Sequence, residues 1–125
     1  MAMNMEVSFS DAFLFVVVGG EMNSKSCERM LKTAFGEAAR KAVSKILIDG
    51  SRVTGTLSAE ERVELGTRLA DQVKSRGLEP TVAFVGHAPT FDGLGVAAIR
   101  KQGVNLKMFE SIPDGLAWLQ GCEHQ

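Results

Sequence analysis

Residues 46–85 read ILIDGSRVTGTLSAEERVELGTRLADQVKSRGLEPTVAFV: a short apolar run, a long polar-apolar segment and a second apolar run. The middle segment carries both end signals of a helix. Ser58 and Glu61 stand three apart, the spacing at which a hydroxyl and a carboxylate cap each other's backbone N–H. Glu60 and Glu61 fall at the positive end of the helix dipole, with Lys74 and Arg76 at the negative end. Gly77 then supplies a residue able to adopt the left-handed conformation that ends a helix. The flanking runs, Ile46–Ile48 and Thr81–Val85, are too short for helices and rich in β-branched residues, so they read as strands. A strand–helix–strand unit of this length implies a parallel pair joined by a right-handed crossover.

The same alternation extends in both directions. Upstream, Ser24 to Ala42 places Cys27, Met30, Leu31, Ala34, Phe35, Ala38, Ala39 and Ala42 on one helical stripe. Gly36 within it costs roughly 1 kcal/mol relative to Ala, which packing can offset. Before that helix, Met5–Phe9 and Phe13–Val18 read as an antiparallel hairpin leading into a buried strand that Gly19-Gly20 closes. Downstream, Thr90 caps a helix ending at Gly103, with Arg100 and Lys101 in its last turn. Leu106–Phe109 is a further strand. Ser111 and Asp114, with Pro113 between them, open a short final helix carrying Leu116, Trp118 and Leu119. The order is β-β-α-β-α-β-α-β-α, an α/β fold with a mostly parallel mixed sheet covered by helices.

Bulk properties narrow the function classes. At 125 residues the chain is long enough for one domain and too short for two, with frayed ends expected at about 1–4 and 121–125. Its 14 basic and 15 acidic residues are interspersed, which gives no electrostatic footprint for nucleic acid or an anionic membrane. Two distant cysteines, Cys27 and Cys122, exclude a disulfide scaffold and a structural zinc site, and reduced thiols fit a cytosol. Cys27 sits on the apolar stripe and reads as an inert core residue. The longest apolar run, Ala12 to Val18, is far short of the ~20 residues a membrane helix requires. No signal peptide is visible, so a cytoplasmic location is expected.

In an open α/β sheet, ligands collect beyond the carboxyl ends of the strands. That edge gathers Asp49, Ser51 and Thr54 after one strand, His87 and Asp92 after the next, and Glu110 and Ser111 after the last. His87 could act as a general base oriented by Asp49 or Asp92, but no activated nucleophile accompanies it, and a strand-end histidine is the simpler reading. Gly86, Gly93 and Gly95 match neither phosphate-binding spacing and read as turn and packing glycines. Asp49-Gly50 and Thr54-Gly55 likewise read as turn chemistry. Ser58 is first a helix cap and second a possible phosphoacceptor at a helix N-terminus. No residue set implies a metal or a cofactor.

Several segments together carry a family resemblance: 46–55 (ILIDGSRVTG), 58–66 (SAEERVELG), 82–86 (VAFVG), 104–109 (VNLKMF) and 115–119 (GLAWL). They resemble the SpoIIAA-like family of STAS-type domains, from Phe13 onward. The resemblance implies the anti-sigma-factor-antagonist fold, related in shape to CRAL-TRIO lipid carriers, and a regulatory or ligand-binding role without a fixed activity. Family antagonists carry a phosphorylated serine in a DSSG turn. The matching stretch here, residues 53–58, reads VTGTLS, and only Ser58 lies near that place.

Three functions follow. The first is a non-catalytic interaction module that docks a protein partner. The second is a carrier or sensor of a small apolar ligand, and the third a small enzyme using Asp49 and His87. The binding edge under either of the first two readings comprises Asp49, Ser51, Thr54, Ser58, His87 and Asp92. A homodimer is expected, on the ground that Phe13–Val18 and the first helix offer more apolar surface than a small sheet can hide.

Overall fold

The structure is a computed structural model, in which residues 4–10, 13–55, 57–75, 77, 80–86, 100–101 and 104–121 are described. A five-stranded sheet runs in the order β1 (Asn4–Phe9), β2 (Leu14–Glu21), β3 (Lys45–Thr54), β4 (Thr81–Val85) and β5 (Asn105–Phe109). β1 pairs antiparallel with β2, and every later pair is parallel. Three helices are described in full: α1 (Ser24–Arg40), α2 (Ala59–Ser75) and α3 (Ile112–Gly121). The helix expected from Thr90 to Gly103 lies outside the described residues except for Arg100 and Lys101, which are helical.

Two cores result, one on each face of the sheet. Each described crossover moves to the next strand in the same direction, so right-handedness places α1 and α2 side by side on one face. There Leu14, Val16, Val18, Ile46, Ile48, Val82 and Leu106 meet Met30, Leu31, Ala34, Phe35, Leu69, Ala70 and Val73. The residues between them point the other way. Leu47, Ala83 and Val85 are buried with Leu119 of α3, and Phe15, Phe109, Leu116 and Trp118 pack around them. β3 and β4 therefore read as unbroken apolar runs because both of their faces are covered. Gly115 lets α3 approach closely, since a Cβ there would lie 3.3 Å from Leu47 Cδ1 and 3.5 Å from Ala83 Cβ. The Phe109 and Trp118 rings, 5.6 Å apart and tilted, seal its flank.

The structure corrects the sequence expectations at three places. β2 does not stop at Gly19-Gly20 but runs through them to Glu21, and β3 does not stop at Ile48 but continues to Thr54. The two extensions pair with each other: Gly19 with Arg52, Gly20 with Val53 and Glu21 with Thr54. A bulge permits this, because the step from Val17 to Gly19 on β2 matches the longer step from Asp49 to Arg52 on β3. Secondly, α1 ends at Arg40 and not at Ala42. The N–H of Val43 donates to Ala38 O (2.9 Å) and that of Ala42 to Ala39 O (3.1 Å). This is a Schellman exit, and it holds Ala42 at φ 54°, in the left-handed region. Thirdly, most of the apolar surface given as the ground for dimerisation is covered within the chain. Leu14, Val16 and Val18 are fully buried, Phe13, Phe15 and Val17 half-buried, and the α1 stripe is buried from Cys27 to Ala38, with Ala39 and Ala42 exposed.

No helix among the described residues is long and apolar enough to cross a membrane. At Ala42 a Cβ in the left-handed region costs about 1–2 kcal/mol, offset in part by the extra unfolded-state freedom of glycine. Ala42→Gly is therefore expected to stabilise the fold by about 0.5–1 kcal/mol, read as a rise in the urea midpoint at unchanged slope.

Candidate functional site at the carboxyl edge of the sheet

The carboxyl ends of β2 to β5 lie on one rim with the N-termini of α2 and α3. β3 runs farthest. Its last pair with β4 is Asp49–Val85, so residues 50–54 extend beyond β4 as a two-stranded ribbon with β2. The ribbon is locked at its tip, where the N–H of Met22 donates to Thr54 O (2.8 Å) and Thr54 Oγ1 to Gly20 O (3.4 Å). The chain then turns at Gly55, with φ 79°, toward α2. A side chain there would be strained whatever the space around it. On the neighbouring strands, the N–H of Gly86 donates to Phe109 O (3.0 Å), which ties the end of β4 to that of β5.

Most of the polar groups expected here hold structure. Asp49 is buried at 8% exposure, and its Oδ1 accepts the N–H of Ser51 at 3.0 Å, satisfying the amide that the bulge withdraws from the ladder. Ser58 and Glu61 form the full reciprocal cap. The N–H of Ser58 donates to Glu61 Oε1 (2.9 Å), and the N–H of Glu61 to Ser58 Oγ (3.1 Å). Ser24 Oγ donates to Glu61 Oε2 at 3.5 Å, linking the first turns of α1 and α2. The hydrogen bonds from Ser58, first from its backbone and then from its hydroxyl, hold the Glu61 carboxyl below the usual glutamate range. Ser111 caps α3 by accepting the N–H of Asp114 at 3.3 Å.

The structure thus gathers Asp49, Ser51, Thr54 and Ser58 along β3 and the turn that follows it. Asp49 faces inward, whereas Ser51, Thr54 and Ser58 are exposed. His87 and Asp92 lie outside the described residues, so the pairing of His87 with a carboxylate is untouched by this geometry. Among the described residues, no three His, Cys, Asp or Glu side chains gather where they could hold a metal. Cys27 is buried in the core, and burial pushes its thiol up to about 11. The thiolate is the reactive form, so the side chain is inert at neutral pH.

One feature of the rim was missed in the sequence. Val63, on the second turn of α2, is 42% exposed among exposed Ala59, Glu60 and Glu64. Its signal was available, because Leu65, Leu69, Ala70 and Val73 define the buried stripe and Val63 falls outside it. At the opposite rim lies a shallow concavity of about 230 Å³, lined by Phe35, Ala38, Val43, Ile46 and Pro80 among others.

The caps make two expected outcomes. Ser58→Ala lowers stability by about 0.5–2 kcal/mol, while Ser58→Asp is nearly neutral because Asp also caps, both measured by urea unfolding. The stability advantage of the wild type over Glu61→Ala is complete above the unfolded-state pKa, about 4.3. It is lost as pH falls through the lower folded-state pKa, because the unfolded chain takes up the proton first. Unfolding series at pH 7 and pH 3 should show the gap closing at the lower value.

No protein-family model matches the chain, and no curated protein matches it significantly. Solved structures do. An anti-sigma factor antagonist from Mycobacterium paratuberculosis superposes with a TM-score of 0.66 at 16% identity, over 95% of each chain. An uncharacterized protein with a SpoIIAA-like fold from Shewanella loihica PV-4 gives 0.54 at 21% identity, over 94% of this chain and 93% of that one. A variant of RsbS from Moorella thermoacetica gives 0.58 at 12% identity, over 94% and 95%. At these identities the likeness concerns architecture, and it agrees with the two-faced sheet and the capped helices described above. The chain has a SpoIIAA-like fold.

Proposed function

We propose that this domain is a cytoplasmic, non-catalytic regulatory module that docks a protein partner through the N-terminal half of α2 and the turn before it. The observation that carries this reading is the pairing of an exposed apolar residue with a rigid support. Val63 stands in the open on a helix whose first turn is capped in both directions and tied to α1. A preorganised surface of this kind loses little conformational freedom on association. Exposed Glu60 and Glu64 flank it on the helix, and Ser51 and Thr54 are exposed at the same edge of the sheet, polar groups of the kind that rim a protein interface. The reading is also supported by two of the neighbours above, one an anti-sigma factor antagonist and the other RsbS. His87 and Asp92, carried on the same edge by sequence, belong to the proposed docking region.

The carrier reading rests on the concavity at the other rim. Its volume of about 230 Å³ is below the roughly 300–1,000 Å³ of ordinary small-molecule pockets, and it is open, so it ranks second. The enzyme reading ranks third, since Asp49 already serves the bulge.

A photo-crosslinking amino acid at position 63 should trap one discrete protein partner in cells. The same group at position 32, on the outer face of α1, should not. Introducing Glu60→Lys beside the probe should weaken the adduct. Equal labelling from both positions, or none from position 63, would remove this docking surface.

A further inference from the structure

We infer that β1 is a dimerisation edge, on which a second copy of this chain adds its own β1 antiparallel and continues the sheet. This does not depend on the partner proposed for α2. β1 is at the end of the sheet and pairs only with β2 among the described residues. Its six residues, Asn4–Phe9, contain no proline, lysine or arginine, and Glu6 is their one charge. The opposite edge, β5, carries exposed Lys107 at its centre.

The hydrogen-bond phase of the hairpin determines which groups face outward. Ser10 N–H donates to Phe13 O (3.0 Å), making that rung a hydrogen-bonded pair. Rungs alternate in an antiparallel ladder, so Ser8, Glu6 and Asn4 bond to β2. Met5, Val7 and Phe9 therefore turn their N–H and C=O groups away from the sheet. A second β1 can bond to them only by opposing these same residues to one another, which keeps both copies' α1 and α2 layers on one face.

Several registers satisfy that condition, and the sequence selects between them. Setting Val7 against Val7 of the second copy pairs Met5 with Phe9 twice, for about six backbone hydrogen bonds. Moving one rung pair either way leaves about four. One of those alternatives also sets Glu6 directly against its own copy, a repulsive cross-strand pair. In the favoured register, Glu6 faces Ser8 of the second copy across a close, non-hydrogen-bonded rung, where the hydroxyl can donate to the carboxylate. On the other face, Phe9, which is 41% exposed in the single chain with the Lys41 ammonium 5.2 Å from its ring centroid, comes beside Met5 of the second copy. The large exposed apolar side chain of the strand thus gains an apolar neighbour.

Ser8 tests the register without touching the core, because it is exposed. Sedimentation equilibrium of the full chain should show a species twice 13.4 kDa that dissociates on dilution. Ser8→Lys places two cations opposite two Glu6 carboxylates and should tighten the dimer, whereas Ser8→Glu should loosen it, each by about two- to thirty-fold in dissociation constant. The amides of Met5, Val7 and Phe9 should gain hydrogen-exchange protection with concentration, while those of Asn4, Glu6 and Ser8 should not change. A 13.4 kDa monomer at the highest soluble concentration would overturn the proposal. So would a dimer whose affinity ignores both Ser8 variants, since its interface would lie elsewhere.

Discussion

Burial of β3 on both faces is the constraint on which the remaining structure depends. Ile46 and Ile48 point to one side and Leu47 to the other, and none of the three exposes any surface. A strand of that kind needs a helical layer above and below it. The connections of a parallel sheet that always advances one strand deliver helices to a single face, which accounts for α1 and α2. The second face can be closed only by a segment outside those crossovers. α3 is that segment: it follows the last strand, folds back beneath β3, β4 and β5, and reaches them closely because Gly115 has no side chain.

Features encoded by local chemistry could be read from the sequence, and features encoded by pairing could not. The capping box of α2, the left-handed Gly77 and the Ser111 cap of α3 each depend on residues three or four apart, and each is present. The stripe of α1 has the same local character. The length of β3 does not. Beyond Ile48 the sequence turns polar with Asp49, Gly50, Ser51 and Arg52, which reads as a loop. Only the partner extension of β2 and the bulge between them convert it to strand. The end of α1 is a related case. The left-handed exit residue is usually glycine, but Ala42 takes that conformation here, held by two backbone hydrogen bonds that local composition does not announce.

The same distinction explains the fate of the candidate site. Sequence reasoning located the carboxyl edge correctly because it is a property of parallel strands, whichever residues occupy it. It could not say which polar groups the fold would use up. Asp49-Gly50 was legible as turn chemistry, and the structure adds its form, the Ser51 N–H donating to Asp49 Oδ1 beside the bulge. Ser58 was legible as a cap, and the structure adds its consequence: a carboxylate drawn down in pKa and a brace to Ser24 that stiffens the rim. With those groups engaged, what the described rim offers to another molecule is shape, the exposed Val63 and a polar surround.

Covering the second face with one helix leaves the sheet asymmetric. α3 lies beneath β3, β4 and β5, while beneath β2 the side chains of Phe15 and Val17 stay half-buried and beneath β1 those of Glu6 and Ser8 are exposed. The two sides of the hairpin therefore differ in kind. Met5 and Val7 are anchored in the α1/α2 core, which fixes the strand in place, and the opposite side is polar enough to remain in water. A strand held firmly on one face, with no partner on its outer edge among the described residues and Glu6 as its one charge, is ordered before any partner arrives. Ordering is the main entropic cost of adding a strand to a sheet, and here the fold of the single chain has already met it.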